Sequence, residues 1–300
     1  MTGTPLRVAV SLACAAAALA SWPASAQRSP RQQEVDVIVV DRNNDPVRDL
    51  TAGDFVVRED GVAREVVRVG PAPPPSPIVL LVDNSQVAEP SILDLRRGLA
   101  NFVDGMAAAE ATVQLGLRTF GERPTKVSDP TSAASVRVGI DRIFSRAGTG
   151  AYLLEAIVET CRDLSAAGAS HPALVAFVVE SGPEFSQDDR QRVAGALKQA
   201  GATLWTVVVQ ARASSLPNTP EARERAAVIG DGTVESGGLN FPILSPQTIP
   251  QALARIQALF TARHRITYGR PDTLIPPERL EITARREGFR VLAPRWAASQ

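Results

Sequence analysis

Three short, largely apolar runs without strict alternation constrain this chain more than anything else in it: Ile78–Val82, Ala173–Val179 and Thr203–Val209. A strand that faces water on one side alternates apolar and polar residues, whereas a strand covered on both faces does not. Between and after these runs lie segments with apolar residues at helical spacing. One covers Ile92, Leu95, Leu99, Phe102 and Val103, and others fall at 133–144, 153–164, 187–199, 221–228 and Ile249–Phe260. A further strand is expected at 112–120, a polar crossing at 124–128, and an extended stretch at 239–244. Ser91 is expected to cap the first helix. Strands alternating with helices of this length imply an α/β fold, a doubly wound, mainly parallel sheet with helices on both faces.

The flanks read differently. Before the α/β pattern, 35–40, Phe55–Glu59 and 64–69 have strand character, separated by the turn signals Asn43-Asn44-Asp45-Pro46 and Asp60-Gly61. After it, 263–268, 279–284 and 289–293 alternate in the same way. Three strands are too few to be stable alone. The two sets are therefore expected to pair into one small β-sandwich into which the α/β unit is inserted. The expected boundaries are 34–70 for the first β segment, 77–262 for the α/β domain and 263–297 for the second β segment.

Residues 1–26 read as a secretory signal peptide. Arg7 precedes the apolar run 8–19, and Ala24-Ser25-Ala26 offers a small-x-small cleavage site. The expectation is export to the periplasm or beyond, with no transmembrane helix in the mature chain. Cleavage would remove Cys14 and leave Cys161 alone, which excludes an internal disulfide and a cysteine metal cluster. Cys161 lies on an apolar helix face and reads as a buried, inert thiol. Thirty-two basic and thirty-two acidic residues cancel, so no field draws nucleic acid.

Several stretches in order resemble the bacterial family of von Willebrand factor type A-related proteins. Ahead of the domain these are Val39-Val40-Asp41, Pro46-Val47, Asp54-Phe55 and Glu59-Asp60-Gly61. Within and after it they are Ile78 through Ser85, Thr119-Phe120-Gly121, Glu155-Ala156-Ile157, Ser236-Gly237-Gly238, Arg265 through Tyr268 and Leu280-Glu281-Ile282. The resemblance implies a metal-ion-dependent adhesion site on three loops at the carboxyl ends of the strands, with Asp-x-Ser-x-Ser, a Thr and an Asp binding Mg²⁺. Measured against that pattern the site is degenerate. Asp83 and Ser85 stand in the first two places, but Val87 replaces the second Ser. Ala151 falls in the Thr place unless Thr149 shifts into it, and Ser181 falls in the Asp place unless Glu180 substitutes.

Two readings of the loop follow. Asp83, Ser85, Thr149 and Glu180 bind Mg²⁺ or Mn²⁺ weakly, or Asp83 and Ser85 hydrogen-bond their own loop and no cofactor is needed. The second is preferred, because losing one oxygen from a near-octahedral shell removes much of the affinity. The corresponding functional expectation is a non-enzymatic module that binds a protein partner through the loop rim, with Gln86, Val87, Tyr152 and Phe185 as contacts. A metal-dependent adhesin-like binder is the alternative. An exported hydrolase is a distant third, since His171 and His264 are the only histidines and no nucleophile elbow, phosphate loop or His-Glu-x-x-His helix occurs.

Overall fold

A computed structural model describes residues 31–211, 216–271 and 277–296. The expected signal peptide lies outside the described residues, as does position 297 at the end of the second β segment. The strands are β1 (Arg31–Val40), β2 (Phe55–Glu59), β3 (Val62–Arg64), β4 (Val66–Pro71), β5 (Ile78–Val82), β6 (Leu115–Thr119), β7 (Thr125–Thr131), β8 (Ala173–Val179), β9 (Thr203–Val209), β10 (Asn240–Ile243), β11 (Arg263–Arg270), β12 (Leu280–Ala284) and β13 (Arg290–Leu292). The helices are α1 (Ile92–Ala109), α2 (Ala133–Asp141), α3 (Leu153–Ala166), α4 (Arg190–Ala200), α5 (Pro220–Ala227), α6 (Thr233–Ser236) and α7 (Ile249–Phe260).

Six strands form the central sheet in the order β10-β9-β8-β5-β6-β7, parallel except for the last pair. The three apolar runs are its middle. Ile78, Leu80 and Val82 of β5 pack toward α1, α2 and α7, while Val79 and Leu81 pack toward α3 and α4. Burial on both faces is what removed the alternation from the sequence.

The flanking strands interleave. A four-stranded antiparallel sheet has the order β13-β1-β11-β4, and a three-stranded one the order β12-β2-β3. Each mixes strands from before and after the α/β unit, and the two close on a shared core that includes Val37, Val39, Phe55, Val57, Ile266 and Leu280. The other face of β1 is not solvent: Ile38 and Val40 enter the α/β core beside α7. The four-stranded sheet is thus a layer common to both parts, and that shared layer fixes the position of one against the other.

Four local expectations are corrected. The crossing at 124–128 is an edge strand, β7, which holds Pro130 where an edge tolerates it. The run 64–69 divides at Glu65, where the chain passes from the three-stranded sheet to the four-stranded one and the Glu65 carbonyl accepts from Gly269 N–H. Ser91 does not cap α1 with its side chain, because a 3-10 turn (Gln86–Ser91) leads into the helix and gives Ser91 a helical backbone. The first β segment, expected to begin at 34, begins at Arg31 with β1.

Candidate functional site

The loops after β5, before α3 and after β8 meet at the carboxyl end of the central sheet, where open α/β sheets place their sites. Their backbones are tied together. Ser85 forms a parallel bridge with Arg146, and Ala151 forms one with Glu184. Arg146 N–H donates to Asn84 O at 2.9 Å, and Gly148 N–H donates to the Gln86 amide oxygen at 2.8 Å. Asn84 accepts from Gly121 N–H and donates to Phe144 O.

Asp83 is completely buried. Its Oδ1 accepts from Ser85 N–H at 2.9 Å and its Oδ2 from Val179 N–H at 3.2 Å, so the carboxylate clamps the first loop to β8. Burial pushes its pKa up, against the pull of these donors and of the Arg225 charge. The Ser85 hydroxyl is buried beside this carboxylate and helps hold its charge, although it falls outside strict hydrogen-bond geometry. Thr149 and Glu180 are turned elsewhere. Thr149 Oγ1 donates to Arg146 O at 2.8 Å, within its own turn. Glu180 Oε2 accepts from Ala211 N–H at 2.9 Å, toward β9. Thus only Asp83 and Ser85 of the four expected ligands are brought together.

Val87 explains the closeness of the first and third loops. A Cβ placed on Gly182 would lie 2.6 Å from Val87 Cγ2 and 3.8 Å from Ser85 Oγ. The valine methyl therefore rests on the bare backbone of Gly182. The fold family implies a Mg²⁺ held by these loops, but this donor set does not fit one. Such an ion needs about six oxygens at near-ideal octahedral geometry. Here only Asp83 and Ser85 of the expected ligands come together, both carboxylate oxygens hold backbone N–H groups, and position 87 offers a methyl where an oxygen is needed.

Sequence reasoning missed the two charged groups that organise the third loop. Arg225 of α5 is only 3% exposed. It donates to Gly182 O at 3.0 Å and Glu180 O at 2.8 Å, and its Nη1 lies 3.6 Å from Glu184 Oε2. Glu184 is equally buried; its Oε1 accepts from Leu153 N–H at the start of α3 and from the Ser186 hydroxyl. Burial raises the Glu184 carboxyl to about 7, with Arg225 opposing the rise and Asp83 adding to it. A guanidinium thus supplies the internal positive charge for both carboxylates. In the sequence Arg225 sits in a polar, arginine-rich helix and looks like solvent-facing charge.

The rim above this network is apolar and open. Tyr152 and Phe185 meet with ring centroids 5.9 Å apart, and Phe185 is 46% exposed. Gln86, Val87, Thr149, Pro183 and Phe185 line a groove of about 560 Å³ between the first and third loops. Among the described residues, neither histidine hydrogen-bonds a serine or a carboxylate, and burial lowers the pKa of both. Cys161 is buried and its thiol is pushed up to about 12, so it is not a nucleophile.

A family model described as von Willebrand factor type A domain matches residues 78–224. The central unit is a von Willebrand factor type A domain. The match ends one residue short of Arg225. Domains of this family are in general protein-interaction modules without enzymatic activity. Comparison with curated proteins finds no match. Among solved structures, a von Willebrand factor type A protein from Catenulispora acidiphila is similar at 11% identity and a TM-score of 0.46, over 90% of this chain and 73% of that one. Proximal thread matrix protein 1 from the mussel byssus is similar at 13% identity and a TM-score of 0.48, over 64% and 49%. BatB from Bacteroides thetaiotaomicron is similar at 13% identity and a TM-score of 0.43, over 61% and 98%. The identification rests on the family model. No described helix is long and apolar enough to cross a membrane.

Proposed function

We propose that this von Willebrand factor type A domain is an exported, non-enzymatic interaction module that captures a protein partner through its loop rim without a resident metal. The observation that carries the reading is the seating of Val87 on Gly182, next to an Asp83 whose two oxygens already hold Ser85 and Val179 N–H groups. Recognition then rests on shape and on the exposed Phe185 with the half-buried Tyr152 packed against it, aromatic side chains of the kind that anchor protein interfaces. Gln86 and Val87 border the groove beside them. Export is supported by the charged, apolar and small-residue segments of 1–26.

Pull-down from the native envelope fraction, with and without EDTA, tests the reading. Capture that survives EDTA and is lost in Tyr152→Ala supports it; capture abolished by EDTA overturns it in favour of a metal-dependent binder. The buried Ser85 hydroxyl gives that second reading its one foothold. Calorimetric titration with Mg²⁺ and Mn²⁺ decides it independently. Saturable binding below about a millimolar, lost in Asp83→Ala, establishes a metal site.

A further inference from the structure

At the opposite end of the central sheet, β1 has an edge that no described residue completes. Along one side it pairs with β11 from Arg31 to Ile38. On the other side β13 covers it only at Ile38, Val39 and Val40. Glu34–Val37 therefore have no strand partner on that side among the described residues. The reason lies in the sequence of the covering strand. Continued in register, β13 would place Pro294 opposite Asp36, and proline has no N–H for the ladder. The chain instead turns away: Arg295 N–H donates to Glu235 O, Arg295 O accepts from Leu280 N–H, and Trp296 bridges to Arg279. Gly237 fixes this exit. Its backbone is left-handed (φ 84°), and an added Cβ would lie 2.5 Å from Ala293 C and Pro294 N.

The departure leaves a cavity of about 440 Å³ lined by every residue from Gln33 to Ile38. A run of consecutive residues lines a cavity only when the strand's edge, rather than one face, borders it. The facing wall is made by His171 before β8 and by Lys198–Gly201 before β9, and Trp296 also lines the cavity. The charges within are matched except one. Asp36 pairs with Arg263 and Arg265, Glu34 with Arg265, and Arg270 with Glu59. Burial lowers the His171 pKa, which keeps its ring neutral at pH 7. The Lys198 ammonium makes no ion pair or hydrogen bond among the described residues.

We propose that this groove takes an extended peptide of a partner protein, added as a strand to the Glu34–Val37 edge, with an acidic side chain of the peptide beside Lys198. Strand addition of this kind draws affinity from main-chain hydrogen bonds and specificity from flanking pockets. Four residues of edge span about 13 Å, enough for a short extended segment. The site is separate from the loop rim and does not depend on the function proposed for it.

Three end-capped hexapeptides test this on the full chain: TVEVTV, its lysine counterpart TVKVTV and the proline-interrupted TVEPTV. Binding is read from Trp296 emission, with Trp296→Phe as control, and from amide exchange. The expected result is saturable binding of TVEVTV that slows exchange at alternate amides within Glu34–Val37. TVEPTV binds on the order of tenfold more weakly, because a ladder bond is lost. Lys198→Glu reverses the preference between the glutamate and lysine peptides. No saturable binding at millimolar peptide, or protection elsewhere, overturns the proposal. So does protection of these amides in the free chain. Loss of that protection on deleting 297–300 assigns the groove to the chain's own end, and concentration-dependent protection assigns it to a second copy.

Discussion

The two ends of the central sheet treat buried polar groups in opposite ways. At the carboxyl end, the organising charges face one another and the backbone. Asp83 holds two backbone N–H groups, Glu184 holds the start of α3, and Arg225 spans the carbonyls between them. At the amino end, a strand edge and a lysine ammonium line a cavity and have no partner on that side among the described residues. A network closed on itself fixes a surface, whereas an open edge invites something to complete it. Loops that resemble a ligand site are thus cross-linked to one another here, while the flank borders a cavity.

The largest test of this contrast is Arg225→Met. It removes the donors to Gly182 O and Glu180 O and leaves two buried carboxylates without their cation. A loss of about 3–5 kcal/mol in urea unfolding is expected, as for a buried ion pair broken on one side. A loss below about 1 kcal/mol would mean that the third loop is held by other contacts.

Glu184→Gln comes next, through pH. The folded-state pKa of Glu184 is raised to about 7, above its ordinary value of 4.5. The folded state therefore holds the proton more tightly than the unfolded one. Its stabilising contribution is complete below about pH 4.5 and is lost as pH rises through 7. Wild-type stability should fall across that window by up to a few kcal/mol, and Glu184→Gln should flatten the fall. Parallel pH profiles for the two proteins would show that Glu184 is ionised throughout.

Gly182→Ala should cost about 1–3 kcal/mol by driving a methyl against Val87. In a Val87→Ala background the same change should cost much less. Equal costs in both backgrounds would break the claim that Val87 is the contact. The smallest effect belongs to Phe185→Ala, which should change stability by less than about 1 kcal/mol while removing partner capture, because the ring is half exposed.

Much of the fold is legible in the sequence. The three apolar runs could only be strands covered on both faces, and Asp188-Asp189 marks the start of α4, where Asp189 accepts from Arg192 N–H at 2.8 Å. What escapes the pattern is polar or divided between layers. β7 is exposed along most of its length and has no apolar period to read. β3 and β4 look like one strand because alternation does not record a change of sheet. The site is less legible still. Asp83, Ser85 and Val87 are adjacent enough to be read as one loop, and the missing oxygen at 87 is plain in the sequence.

The groups that settle that loop's chemistry are not adjacent. Hydrophobic periodicity and loop spacing, which are local, determined the doubly wound sheet, its flanking strands and the weakness of the metal pattern. Only the tertiary structure decided that Arg225, on a distant polar helix, is the cation beneath the rim, and that Pro294 leaves an edge of β1 open. Charge neutralisation and strand completion are contacts between segments far apart in the chain, so no local pattern encodes them.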